Sequence, residues 1–154
     1  MAAKISSEAA AEILETIAQI SYSLGFSGGL RPTQWTALRF FANSEERART
    51  VGNFAKYNKT SPSSASQTIN ALVARDLLRR VWVEADRRTH RLIVAPGGRK
   101  LLRADPLRHL VQAIEEMPER RRFEFADHLR FLLLAMTERF EKDKGRGGDR
   151  DAKD

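Results

Sequence analysis

The sequence predicts a mainly α fold carrying one small β-hairpin (an α+β chain), and three observations predict it. Apolar residues recur at helical spacing, as in Ile13, Ile17, Ile20 and Leu24. Only residues 77–94 switch to β-rich runs, placed around a short polar loop. Ser-Pro and Asp-Pro pairs mark separate helix starts rather than one long helix.

Residues 6–26 read as the first helix, capped by Ser6 or Ser7 and stopped by Gly25, Gly28 and Gly29. A second helix begins near Pro32 and runs through Trp35, Leu38 and Phe41. The charged stretch 45–49 reads as a loop, and Thr50 caps a short helix holding Val51, Phe54 and Ala55. Asn58 is expected to end that helix in a left-handed conformation. Ser61-Pro62 then opens a helix over residues 62–75. Ala65, Thr68, Ile69, Leu72 and Val73 share one side of it, and Ser63, Ser66, Gln67, Asn70 and Ala74 the other.

Strands at 77–83 and 89–94 flank a polar turn at 84–87. Gly97 and Gly98 mark the return to helix. Residues 99–116 read as helical but broken at Asp105-Pro106, and Pro118 starts a last helix reaching about Lys142. The Gly-rich, charged tail 143–154 is expected to be disordered. Two short helices joined tightly at 58–60 and followed by a hairpin describe a winged helix-turn-helix. The expected division is a winged-helix lobe over 31–98, with 1–30 and 99–142 forming a helical dimerisation region.

Lys and Arg number 27 against 20 Asp and Glu, a net charge of +7 that suits a polyanionic partner. The chain has no cysteine, which removes disulfides, thiolate metal sites and thiol redox switches and fits a reducing cytoplasm. Its longest apolar run, residues 131–136, is far below the roughly 20 residues that span a bilayer, so no membrane partner is expected. No GxSxG, Walker-type or HExxH pattern occurs, so no catalytic residue and no enzyme activity are assigned. His90, His109 and His128 are too dispersed to suggest a metal site, and no cofactor is expected.

The outward face of the 62–75 helix carries the chemistry. A merely solvated helix favours Glu and Lys, which raise helix propensity and pair at i,i+4. Ser63, Gln67 and Asn70 give that up but offer donors and acceptors to base edges and phosphates. Small residues at the helix start let backbone N–H groups approach phosphate. The hairpin adds Arg87, Arg88 and Arg91 around Asp86, with Arg79 and Arg80 on the opposing strand, suited to the negative potential of a minor groove.

The run Arg31-Pro32-Thr33-Gln34-Trp35-Thr36-Ala37-Leu38, then Ser61-Pro62-Ser63-Ser64-Ala65-Ser66, then Asp86-Arg87-Arg88, resembles the multiple-antibiotic-resistance regulator (MarR) family over roughly residues 10–140. The resemblance implies a homodimeric regulator of transcription, commonly a repressor released from double-stranded DNA by a small aromatic ligand. It implies that Ser63, Ser64, Ser66, Gln67 and Asn70 lie on the groove-reading helix and that Arg88 is the wing arginine that enters the minor groove; the residues themselves add Ser61 at the helix start and Arg80 and Arg87 on the wing as candidate DNA contacts. The family commonly has Gly before the first wing strand, where this chain has Asp76, which puts the local turn geometry in question.

The last helix is apolar on most sides, with Leu129, Leu132, Leu133, Met136 and Phe140 in one stripe and Phe125, Phe131 and Leu134 outside it. Such a helix needs cover on more than one side, which a second copy of the chain would give. Dimerisation also sets two recognition helices about 34 Å apart for a pseudo-palindromic site. Tyr22, Phe26, Trp35 and His109 are candidates to line an aromatic ligand pocket. The competing readings are an architectural DNA-binding protein with no effector, and a protein-interaction winged helix that ignores DNA.

Overall fold

The structure is a computed structural model that describes residues 5–83 and 86–147. Helix α1 (Ser7–Leu24) is capped by Ser6, whose side chain accepts from the Ala9 N–H at 3.2 Å. Helix α2 (Pro32–Asn43) opens on Pro32, with the Gln34 side chain accepting the Arg31 N–H at 2.9 Å. A 3-10 turn (Glu46–Ala48) leads to α3 (Val51–Tyr57), capped by Thr50. Helix α4 (Pro62–Ala74) follows, then strands β1 (Leu78–Val83) and β2 (Asp86–Val94), and helices α5 (Pro96–Leu102), α6 (Leu107–Glu115) and α7 (Glu119–Gly147). No described helix is long and apolar enough to cross a membrane. The chain divides into two compact units, Met1–Arg108 and His109–Asp154.

In the first unit the core is where helical period and strand alternation meet. Trp35, Leu38 and Phe41 of α2 pack with Phe54 of α3, Ile69 and Leu72 of α4, and Leu78 and Leu92 of the hairpin, each at most 1% exposed. The Phe41 and Phe54 rings lie 5.7 Å apart, an aromatic contact that fixes α2 against α3. The hairpin is antiparallel, with Leu78 opposite Val94, Arg80 opposite Leu92 and Trp82 opposite His90. Leu92 donates its N–H to the Arg49 carbonyl at 2.9 Å, so the segment before α3 holds the outer edge of β2. Arg75 reaches back to the Gly29 carbonyl at 2.6 Å, tying the end of α4 to the loop between α1 and α2.

Several boundaries differ from the sequence reading. The left-handed residue after α3 is Lys59 (φ 52°), whereas Asn58 stays at φ −82°. The Thr60 N–H donates to the Ala55 carbonyl and the Lys59 N–H to the Lys56 carbonyl, a Schellman motif in which the residue after the cap, not the cap, takes positive φ. The second strand starts at Asp86 rather than at residue 89, because the ladder shifts between Trp82 and Val83 and pairs Val83 with Asp86. Helix α7 continues to Gly147, so residues 143–147 of the expected disordered tail are helical; Asp143 and Lys144 extend a run of helix-compatible charges from Glu138. The rest of that tail, 148–154, lies outside the described residues.

Gly97 and Gly98 lie inside α5, which starts at Pro96. A Cβ on Gly98 would sit 2.3 Å from the Leu77 carbonyl oxygen and 2.9 Å from Val94 Cγ1. Only a residue without a side chain lets α5 approach the hairpin base this closely. The break between α5 and α6 falls at Asp105-Pro106 as the sequence predicts. Asp105 Oδ1 accepts from the Leu107 N–H at 2.8 Å and from Arg39 at 2.7 Å.

Asp76 takes the left-handed conformation (φ 53°) that glycine would take more readily. Its N–H donates to the Val73 carbonyl and the Leu77 N–H to the Leu72 carbonyl, a second complete Schellman motif. Buried Leu77 and Leu72 supply the apolar contact that accompanies it. The hydrogen bonds from Arg79, at 3.0 and 3.2 Å, and then its charge hold the Asp76 carboxyl below its ordinary pKa. That ion pair therefore supports the fold at neutral pH, and its support is lost as pH falls through the lowered pKa. The pair is exposed and screened, so the backbone term decides the outcome of substitution. Asp76→Gly is expected to raise the melting temperature by about 2–4 °C, read by circular dichroism at pH 7. A lower melting temperature would mean that the ion pair outweighs the backbone strain.

Within the second unit α7 leaves large apolar side chains uncovered. Phe131 is 74% exposed, Leu133 and Leu134 are 66% exposed, and Phe123, Met136 and Phe140 are also exposed. In the first unit Ile13 and Ile20 of α1 are exposed as well, and α1 has no fully buried residue.

Candidate nucleic-acid interface

Helix α4 is set by its two ends. Ser61 accepts from the Ser64 N–H at 3.1 Å, and its hydroxyl lies 2.9 Å from the Ser64 hydroxyl. Pro62 at the first position costs nothing there, since its missing N–H would have no helical partner. The C-terminal Schellman motif and buried Ala65, Ile69 and Leu72 then fix the roll of the helix against α2 and α3. Ser63, Ser64, Gln67 and Asn70 are exposed as a result, and Ser66 is half-buried at the margin. Ser63, Gln67 and Asn70 run i, i+4, i+7 along one line, about 10 Å at 1.5 Å per residue.

On β1 the side chains alternate, so Leu78, Arg80 and Trp82 point to one face. Leu78 is buried on it; further out, Arg80 Nη2 donates to Asn70 Oδ1 at 2.6 Å. This bond joins two of the sequence-predicted site residues, one on the helix and one on the wing. Beyond it Trp82, 62% exposed, packs on His90 with ring centroids 3.7 Å apart. The sequence reading missed this aromatic pair, although the period-2 alternation from Leu78 places Trp82 on the Arg80 face.

The other wing arginines separate. Arg79 is held by Asp76, and Arg91, expected near the hairpin tip, lies opposite Val81 and pairs with Glu46 of the 3-10 turn before α3. Asp86, Arg87 and Arg88 belong to β2, but their side chains lie outside the described residues.

The candidate ligand-pocket residues do not share one environment. Trp35 is a core residue, 1% exposed, and its indole N–H donates to the Ser27 carbonyl at 3.3 Å. Its place on the inward face of α2, together with Leu38, commits it to packing. Tyr22 and Phe26 are exposed and meet edge to face at 5.2 Å. His109 is exposed and belongs to the second unit. Among the described residues no group of three or more His, Asp or Glu side chains is placed to hold a metal ion.

Helix-turn-helix, hairpin and polar outer face define a winged helix-turn-helix protein. Residues 28–89 match a family model described as MarR family. This similarity to the MarR family covers the winged-helix segment. Solved structures share the fold. A MarR family protein from Bacillus stearothermophilus superposes with a TM-score of 0.67 at 19% identity, covering 84% of this chain and 91% of its own. A complex of S. aureus MepR with DNA gives 0.67 at 14% identity, covering 86% and 98%. Staphylococcus aureus MarR in complex with salicylate and kanamycin gives 0.62 at 18%, covering 82% and 87%. Comparison of the sequence with curated proteins finds no match.

Proposed function

We propose that the protein is a sequence-specific regulator of transcription that binds double-stranded DNA as a homodimer in the cytoplasm, and that it acts as a repressor released by a small aromatic ligand. The observation that carries this reading is the exposed Ser63, Gln67 and Asn70 line on α4, joined to the wing by the Arg80–Asn70 bond. A face of small and amide side chains at a Ser-Pro helix start suits base edges and phosphates and gains nothing from plain solvation. Ser61, Ser64 and Ser66 frame the helix start, and Arg80, Arg87 and Arg88 supply wing contacts. The net charge of +7 supplies the attraction to phosphate.

Residues 31–98 are the DNA-binding lobe, and 1–30 with 99–142 build the dimer. The uncovered Phe131, Leu133 and Leu134 of α7 and Ile13 and Ile20 of α1 support that assembly, since patches this apolar on a soluble chain call for cover. The solved MepR–DNA complex supports the DNA partner, and salicylate on the S. aureus MarR supports the ligand class. Within the first unit Tyr22 and Phe26 remain the residues proposed for ligand contact; His109 is a separate candidate of the second unit.

The test is selection of binding sites from a randomised duplex pool, followed by competition between the selected duplex and a scrambled one. A regulator discriminates strongly between them. Equal competition would favour an architectural DNA-binding protein, and no binding would favour a winged helix that ignores DNA.

A further inference from the structure

The Arg80–Asn70 bond settles the orientation of the Asn70 amide. A guanidinium carries donors only, so the group facing Arg80 Nη2 at 2.6 Å must be the amide oxygen, and Nδ2 must turn away from it. Asn70 is exposed, and among the described residues its Nδ2 has no acceptor. An asparagine reads adenine by using both ends at once, accepting from N6 and donating to N7. Here Arg80 already occupies one of the two lone pairs of Oδ1. A base amino group approaching Oδ1 would also meet the N–H groups of Arg80, donor against donor.

What remains outward is a donor. Guanine presents O6 and N7 to the major groove and thymine presents O4, whereas cytosine presents the N4 amino group and adenine sets its N6 amino group beside N7. We propose, resting on the DNA-binding reading above, that Asn70 is a specificity-determining residue that selects a keto base, guanine or thymine, at the position it faces. Arg80 is its positioning residue: it acts on the base through the amide it orients. The hairpin register that holds Leu78 and Leu92 in the core also sets Arg80 beside Asn70, so the base preference is built into the packing of wing against helix.

The experiment is selection from a randomised duplex pool at one fixed salt concentration with the full chain, comparing wild type, Asn70→Ala, Asn70→Asp and Arg80→Ala. Circular dichroism and melting curves verify that each variant folds. The relevant position is the one whose preference Asn70→Ala abolishes. In the wild type that position is expected to favour guanine or thymine about tenfold over adenine and cytosine. Asn70→Asp keeps the Arg80 pairing but turns an acceptor outward, so the preference moves to the amino bases cytosine and adenine. Arg80→Ala frees Oδ1 and admits adenine. If the added charge of Asn70→Asp abolishes binding, the other two variants carry the test. Adenine at the Asn70-dependent position of the wild type, or an Asn70→Ala motif identical to the wild type at every position, overturns the proposal. Failure of the wild type to enrich any motif overturns the DNA-binding reading itself, a different result from either.

Discussion

Gly98→Ala is expected to destabilise the fold by about 3 kcal/mol, measured as a lower midpoint of urea unfolding. The added methyl would lie 2.3 Å from the Leu77 carbonyl oxygen, and that atom belongs to backbone rather than to a side chain that can rotate away. The same carbonyl accepts the Ala95 N–H at 3.0 Å, so moving it also breaks the bond that closes the hairpin onto α5. Val94 Cγ1, 2.9 Å away, closes the other direction. At the α5 start, alanine would otherwise be the better helix residue by about 1 kcal/mol, so the two effects have opposite signs and the clash wins. A neutral or stabilising Gly98→Ala would mean that α5 stands farther from the hairpin than described.

That glycine shows where the sequence is opaque. Helix propensity places Gly98 outside a helix, and only the approach of α5 to β1 explains why it lies within one. The same holds for Lys59: that residue type does not advertise positive φ, and the Schellman bonds around it impose it. Trp35 could be a ligand-pocket residue or a core residue on sequence grounds, because an aromatic at helical spacing suits both; its burial and the Ser27 bond decide for the core. Other features were legible because they are local. Ser61-Pro62 announces the α4 start, the apolar line Ala65, Ile69 and Leu72 announces its buried face, and Asp105-Pro106 announces the α5–α6 break. The outer face followed from what the inner face excluded. Its internal chemistry did not, since the Arg80–Asn70 bond joins residues on two elements and depends on the hairpin register.

The second large effect is electrostatic. Affinity for duplex DNA is expected to fall about a thousandfold or more between 50 and 200 mM salt, as it does for proteins that neutralise six to ten phosphates. Each chain carries a net +7, and a dimer doubles it. Several described arginines are committed internally: Arg39 to Asp105, Arg79 to Asp76 and Arg91 to Glu46. The salt slope therefore counts the cations outside those pairs, and Arg88→Ala should reduce it by about one. Fluorescence anisotropy on a labelled duplex over that salt range measures both. A slope near zero would contradict a phosphate-contacting interface.

Salt dependence reports the backbone contacts; under the proposed function, sequence reading falls to the outer face of α4. Gln67 sits at the centre of that face, exposed and one turn from both Ser63 and Asn70. The most direct measurement is competition at one fixed salt concentration between a pool-selected duplex and its scrambled counterpart, run with the wild type and with Gln67→Ala. The wild type is expected to prefer the selected duplex by about a thousandfold, and Gln67→Ala to lose about 1–3 kcal/mol of that preference while melting as the wild type does. Equal competition by the two duplexes, or a Gln67→Ala variant with the full preference intact, would contradict a recognition role for this helix.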